Sequence, residues 1–300
     1  MTTKRLLVVV GATAVGKTEL CIKLAQHLKT VIISADSRQF YKEMCIGTAK
    51  PSKEELATIP HYFIDSHSIT EEYNAGRYEK DVLLLLEELF NVHDTVILTG
   101  GSGLYIDAVC HGMDTMPKVP ENLREELAKR LEIYGIENLL AELALVDEVY
   151  YQQVDKANPQ RVTRALEVCL ASGKPYSSFR IQHHTQATRP FQVIKIGLER
   201  ERHELYARID ARVDHMLAAG LVEEVKSLQS YQHHNALQTV GYKEVFEFLD
   251  NHYDWAECVR LLKRNTRRYA KRQGTWFRKD EQITWFSATN IAKIVQFLDM

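Results

Sequence analysis

Eight residues near the N-terminus have the spacing to hold phosphate. Gly11-Ala12-Thr13-Ala14-Val15-Gly16-Lys17-Thr18 satisfies G-x-x-x-x-G-K-[ST] at every position. The glycines let the backbone curl so that successive N–H groups meet phosphate oxygens, Lys17 supplies a point charge, and Thr18 offers a hydroxyl to Mg2+. The apolar run Leu6–Val10 precedes the loop and a helical pattern, Glu19 to Lys29, follows it. That is the strand–loop–helix context in which a helix N-terminus adds its dipole to the anion site. The pattern specifies phosphate and leaves the reaction open. A nucleotide hydrolase or kinase holds its metal with an aspartate at the end of another strand, yet the strand-like run Thr95–Thr99 ends in Gly100-Gly101. Asp36 and Asp65 do end strand-like runs. Asp36 has three readings at this level: a metal-organising acid, a catalytic base, or an aspartate capping a turn.

Arginines supply the second set of candidates. In the helical pattern over about Arg202–Gln229, Leu205, Ile209 and Met216 form an apolar stripe with Arg212 at its edge. Arg208 has Glu204 one turn back as its expected partner, whereas Arg212 has no acid three or four residues away on either side. Such an arginine takes an anion from elsewhere, or is solvated or paired across helices. Asn158-Pro159 marks a helix start. Arg161 and Arg164 fall in its first turns, where the helix dipole disfavours positive charge. That placement fits contacts to a phosphate backbone, with an Arg164–Glu167 pair as the structural alternative. Residues 260–279 hold many lysines and arginines and no acid, with Tyr269, Trp276 and Phe277 interleaved. In a chain of net charge −2 this is a local RNA-facing element, or a solvated helix face with its aromatics in the core.

These groups need a frame. Buried-strand patterns at Leu6–Val10, Thr30–Ser34, His61–Asp65, Thr95–Thr99, Gln192–Leu198 and Gln282–Phe286 alternate with helical ones. From about Met116 to Arg189 only leucine-rich helical segments occur: Glu121–Tyr134, Ile136–Leu145 and Pro159–Ala171. The expected fold is α/β, a P-loop NTPase-like parallel-sheet core (1–115 and 190–300, with C-terminal helices) carrying an inserted, mainly helical lobe at 116–189. Three hundred residues, 45% apolar and 26% charged, suit a globular chain with a substantial core. The five cysteines are scattered without a C-x-x-C pair, which argues for reduced thiols over disulfides or zinc. No apolar run reaches signal-peptide or membrane-spanning length, so a cytoplasmic location with no membrane partner is expected; a monomer is the expected state.

Several stretches, in order over nearly the whole chain, resemble tRNA dimethylallyltransferases: GATAVGKT (11–18), SADSRQFY (34–41), IGTAKP (46–51), GGSGLYI (100–106), NPQRVTRALE (158–167), RIDARVD (208–214), VGYKE (240–244) and TRRYAKRQGTWFR (266–278). Two departures are visible. Ser102 stands where threonine is commoner, and Gly274 replaces an apolar residue, a change that disfavours helix by about 1 kcal/mol relative to alanine. No C-x-x-C…H-x-x-x-H finger follows, so the resemblance is to the short bacterial form.

The resemblance implies transfer of a dimethylallyl group from dimethylallyl diphosphate to N6 of the adenosine 3′ of the tRNA anticodon (position 37), with Mg2+ as cofactor. It makes Asp36 the general base and sets Lys17, Thr18 and Arg212 on the diphosphate. It assigns Asp36, Ser37, Arg38, Gln39, Ser102, Arg124, Gln160, Arg161, Val162, Thr163, Arg164, Gln238, Gly241, Tyr242 and Lys243 to the anticodon stem-loop. The target adenine must leave its stack to reach Asp36. The competing readings are prenyl transfer to free AMP or ATP, which would need neither the lobe nor the basic 260–279 stretch, and a P-loop kinase or ATPase.

Overall fold

The computed structural model describes residues 3–184 and 188–299. Two compact units result: Met1–Cys110 with Arg189–Met300, and His111–Thr188. The first runs β1 (Arg5–Gly11), α1 (Lys17–Leu28), β2 (Ile32–Ser34), α2 (Lys53–Thr58), β3 (His61–Tyr62), α3 (Ala75–Leu89), β4 (Thr95–Gly100) and α4 (Gly103–His111). The second holds α5 (Glu121–Val146), α6 (Glu148–Gln153) and α7 (Pro159–Ser172). The first unit then resumes with β5 (Gln192–Glu199), α8 (Arg202–Ala218), α9 (Leu221–Ser227), α10 (Tyr242–Leu249), α11 (Trp255–Phe277), β6 (Ile283–Ser287) and α12 (Ile291–Leu298).

All six strands are parallel, in the order β3-β2-β4-β1-β5-β6. Helices cover both faces, which is why β1 reads as an unbroken apolar run instead of alternating. Leu6, Val8 and Val10 join one core with Ile33 and Leu98, while Leu7 and Val9 join another with Ile32, Ile97 and Ile196. The chain leaves β1 for β2 on one side, and β5 closes the other. The crevice at the C-terminal ends of β1, β2, β4 and β5 is therefore the topological switch point where such sheets bind ligands.

In the second unit, Leu127, Leu139, Leu143, Val162 and Leu166 form the core. Asn158 Oδ1 accepts from the Arg161 N–H at 3.2 Å and Pro159 opens α7, as the sequence predicts. Gly135, at φ 76°, breaks α5 between the two helical segments expected there. The single helix expected over 202–229 is instead two, α8 and α9, because Gly220 at φ 99° ends the first and starts the second. Among the described residues, no helix is long and apolar enough to cross a membrane.

Candidate active site

The loop after β1 is held in shape from outside. Gly16 precedes α1 at φ 116°, where a side chain would be strained. Ala14 nonetheless takes φ 64°, a left-handed conformation costing about 1 kcal/mol for a residue with a Cβ. What fixes it is Arg208, whose Nε donates to the Ala14 carbonyl at 2.8 Å; Arg200 Nε does the same to Val15 at 2.7 Å. With these carbonyls drawn onto arginines, the amides of Lys17 and Thr18 at the start of α1 are left for an anion. The expected Glu204–Arg208 pair does not form: Glu204 lies 3.7 Å from Arg200 instead, because a fixed loop carbonyl offers Arg208 a better acceptor than a solvated carboxylate. Lys17 folds back on the loop, its Nζ donating to the carbonyls of Gly11 (2.8 Å) and Ala12 (3.0 Å).

A cleft of about 290 Å3 opens beside the loop, lined by Thr13, Lys17, Thr18, Asp36, Arg208, Arg212, Tyr269 and Gln273 among others. A smaller one of about 90 Å3 shares Thr13, Asp36, Arg212 and Tyr269 and continues to Arg38, Gly47 and Gly241. Asp36 is thus a wall of both. Its Oδ1 accepts from the Arg38 N–H at 3.0 Å, closing a turn, so the capping role is real while the carboxylate still faces the clefts. Burial pushes its carboxyl above the usual range, partly offset by the Arg38 amide and the Lys17 charge. Burial likewise pushes Lys17 down to about 8; Asp36 opposes the shift and Arg212 adds to it. Arg212 NH1 donates to Thr13 Oγ1 at 3.3 Å, and no carboxylate pairs with it among the described residues. Lys17, Arg208 and Arg212 thus face one cleft with Asp36, an arrangement that holds an anion on one side of a proton acceptor.

The missing acid at the end of β4 has a steric cause. A Cβ at Gly100 would lie 2.1 Å from the Ala35 carbonyl oxygen, so β4 cannot end in aspartate while β2 passes this close. The carboxylate of this crevice comes from β2, as Asp36.

Of the residues assigned to RNA, several tie the frame. Ser102 Oγ accepts from the Ser37 N–H at 2.9 Å and donates to Ser37 Oγ. Gln39 donates to the carbonyls of Thr48 and Ala49, both at 3.2 Å. Gly241 donates to Glu244 (2.8 Å) and Gln238 to the Gln232 carbonyl (2.6 Å), while Lys243 is exposed. Tyr242 and Val162 have fully buried side chains, so they cannot offer those side chains to a ligand. Arg124, Gln160, Arg161, Thr163 and Arg164 lie in the second unit. Arg164 pairs with Glu167 at 3.0 Å, the structural alternative raised by the sequence, and Arg124 lies 3.5 Å from Glu121.

The basic stretch of α11 is less uniform than its sequence. Lys263 pairs with Asp214 and Arg267 with Asp210, both from α8, and Arg260 with Glu257. Phe277 is core, Trp276 is exposed with Nε1 on Asp107 at 3.1 Å, and Tyr269 lines the clefts. Arg264, Arg268, Lys271 and Arg272 remain as candidates for a polyanion.

Sequence reasoning missed Arg200, Gln273 and Glu224. Glu224 accepts from the N–H groups of Cys45 (2.9 Å), Ile46 (2.7 Å) and Gly47 (3.0 Å) and from the Tyr242 hydroxyl (2.6 Å). Glu224→Ala would strand these donors, and a loss of about 2–4 kcal/mol is expected. A thermal melt should show the midpoint falling by several degrees, and an unchanged midpoint would contradict this role for Glu224.

The family model described as IPP transferase matches residues 39–280. A tRNA dimethylallyltransferase of Cytophaga hutchinsonii is 50% identical over 296 residues, covering 99% of this chain and 97% of the relative. The crystal structure of the full-length tRNA isopentenylpyrophosphate transferase of Bacillus halodurans is similar with a TM-score of 0.73 and 35% identity, covering 99% and 96% of the two chains. A eukaryotic dimethylallyltransferase captured acting on tRNA gives a TM-score of 0.78 at 27% identity, covering 97% of this chain and 75% of that one.

Proposed function

The chain belongs to the IPP transferase family, and we propose that it moves a dimethylallyl group from dimethylallyl diphosphate to N6 of the adenosine 3′ of the anticodon (position 37) in tRNA. It is an enzyme, a tRNA dimethylallyltransferase. The observation that carries the detailed reading is a single carboxylate, Asp36, walling two clefts, one on the phosphate cradle and one beyond it.

On this reading the diphosphate of the donor lies on the cradle, with Lys17 and Arg212 as its counter-charges. N6 of the extruded adenine approaches from the Arg38–Gly241 side. The nitrogen lone pair forms a bond to the allylic carbon as the carbon–oxygen bond to diphosphate breaks, and the N6 proton passes to Asp36. Negative charge grows on the departing diphosphate, where preorganised cations have most leverage. The described residues contain no group of three or more acids, histidines or cysteines fit for a metal, so a bare-protein site is not built. The Thr18 hydroxyl, within the cleft, is the oxygen that would hold Mg2+. When bound, Mg2+ would neutralise leaving-group charge. Ser37, Arg38, Ser102 and Lys243, the free cations of α11, and Arg124 with Gln160, Arg161, Thr163 and Arg164 are the proposed tRNA contacts of a cytoplasmic monomer.

Incubation with labelled dimethylallyl diphosphate and tRNA, AMP or ATP tests this. Label is expected in tRNA alone. Label in AMP or ATP would favour the adenylate prenyltransferase, and nucleotide hydrolysis without label transfer would favour the ATPase.

A further inference from the structure

The two faces of α11 meet different things. Arg268, Lys271 and Arg272 are exposed, and neither Arg268 nor Lys271 has an acidic partner among the described residues. On the opposite face, Gln273 is buried (6% exposed) with both ends of its carboxamide committed. Its Oε1 accepts from the Thr13 N–H at 2.8 Å and its Nε2 donates to the Gly101 carbonyl at 3.0 Å. Tyr269, one turn earlier, lines both clefts.

The two backbone groups it holds are well placed. Thr13 carries the hydroxyl that accepts from Arg212. Gly101 lies between Gly100, packed on the Ala35 carbonyl, and Ser102, whose N–H donates to that same carbonyl at 3.3 Å. Ala35 precedes Asp36. One buried side chain thus pins the cradle on one side and the strand end bearing the carboxylate on the other. A buried amide is costly unless both ends are bonded, so movement of Gln273 carries these groups with it. Gly274 follows at once and makes the helix locally pliant.

Resting on the reading that α11 faces tRNA and the cradle holds the donor, the geometry points to Gln273 as a positioning residue that links the two. RNA bound to Arg268, Lys271 and Arg272 fixes α11, and through the carboxamide fixes Thr13 and Gly101, and so Arg212 and Asp36, for the diphosphate. Linkage is reciprocal, so diphosphate must tighten RNA binding by the same factor.

The test is calorimetric titration of Mg2+ and inorganic diphosphate into the full chain, with and without saturating anticodon stem-loop RNA, at fixed salt. In the wild type the RNA is expected to tighten diphosphate binding about tenfold, and diphosphate to tighten RNA binding equally. Gln273→Met fills the same space without either hydrogen bond. Whatever its affinity for either ligand alone, the factor by which RNA tightens diphosphate binding should fall below about twofold. Gln273→Glu keeps an acceptor for Thr13 but loses the donor to Gly101; its linkage should also fall, and it serves if Gln273→Met does not fold. Binding of both ligands by the wild type without linkage, or full linkage in the variants, overturns the proposal. A wild type that binds no RNA overturns it together with the tRNA reading, which separates the two failures.

Discussion

Asp36→Asn should lower dimethylallyl transfer by about a thousandfold, the middle of the range a positioned base contributes. The effect should fall on kcat, with tRNA affinity nearly intact. Asparagine keeps the oxygen that accepts from the Arg38 N–H at 3.0 Å, so the turn survives and only the proton acceptor is lost. The pH dependence fixes the sign. Burial raises the Asp36 carboxyl, so the wild-type rate falls with acid at a pH above the ordinary aspartate range. That acid limb should vanish in the variant. Stability moves the other way. The folded state holds the Asp36 proton more tightly than the unfolded one, so above the raised value the wild type carries the cost of a buried carboxylate. Asp36→Asn removes that cost and should raise the melting midpoint at neutral pH. A variant that loses tRNA binding, or melts lower, would assign Asp36 a structural role.

The features legible along the chain are local ones. The strand–loop–helix context of Gly11–Thr18, the strand before Asp36 and the break at Gly135 each depend on a few contiguous residues. The contacts that make the site work are not local. Helix spacing pairs Arg208 with Glu204, and the structure gives it to the Ala14 carbonyl. No spacing rule connects Gln273 to Thr13, or Glu224 to three amides at 45–47. Matched stretches also say nothing about which way a side chain points. VGYKE and NPQRVTRALE both lie in the resemblance, yet Tyr242 and Val162 are core. Likewise the acid-free run at 260–279 is partly neutralised by Asp210 and Asp214, which are far away in sequence and adjacent in space.

Lys17→Met is the second large effect expected, about 10²–10³ in transfer, the scale of removing one preorganised stabiliser of transition-state charge. The wild-type lysine is the more informative half of the comparison. Burial brings it to about 8, so in the free enzyme its charge is lost as pH rises through that value, and kcat/KM should fall with it. Bound diphosphate favours the charged form, so kcat should hold to higher pH than kcat/KM. In Asp36→Asn the carboxylate that props the lysine up is gone, and the alkaline limb should move to lower pH. The same shift makes a stability statement. Between about 8 and the usual lysine value near 10.5 the unfolded chain binds the proton and the folded one does not, so wild-type stability rises with pH across that window. Below it both states are protonated and the desolvation cost is present in full. Lys17→Met should lack that rise in chemical denaturation at stepped pH. An identical rise in both proteins would mean that the loop lysine is solvated in the free enzyme, and that burial is not what readies it for an anion.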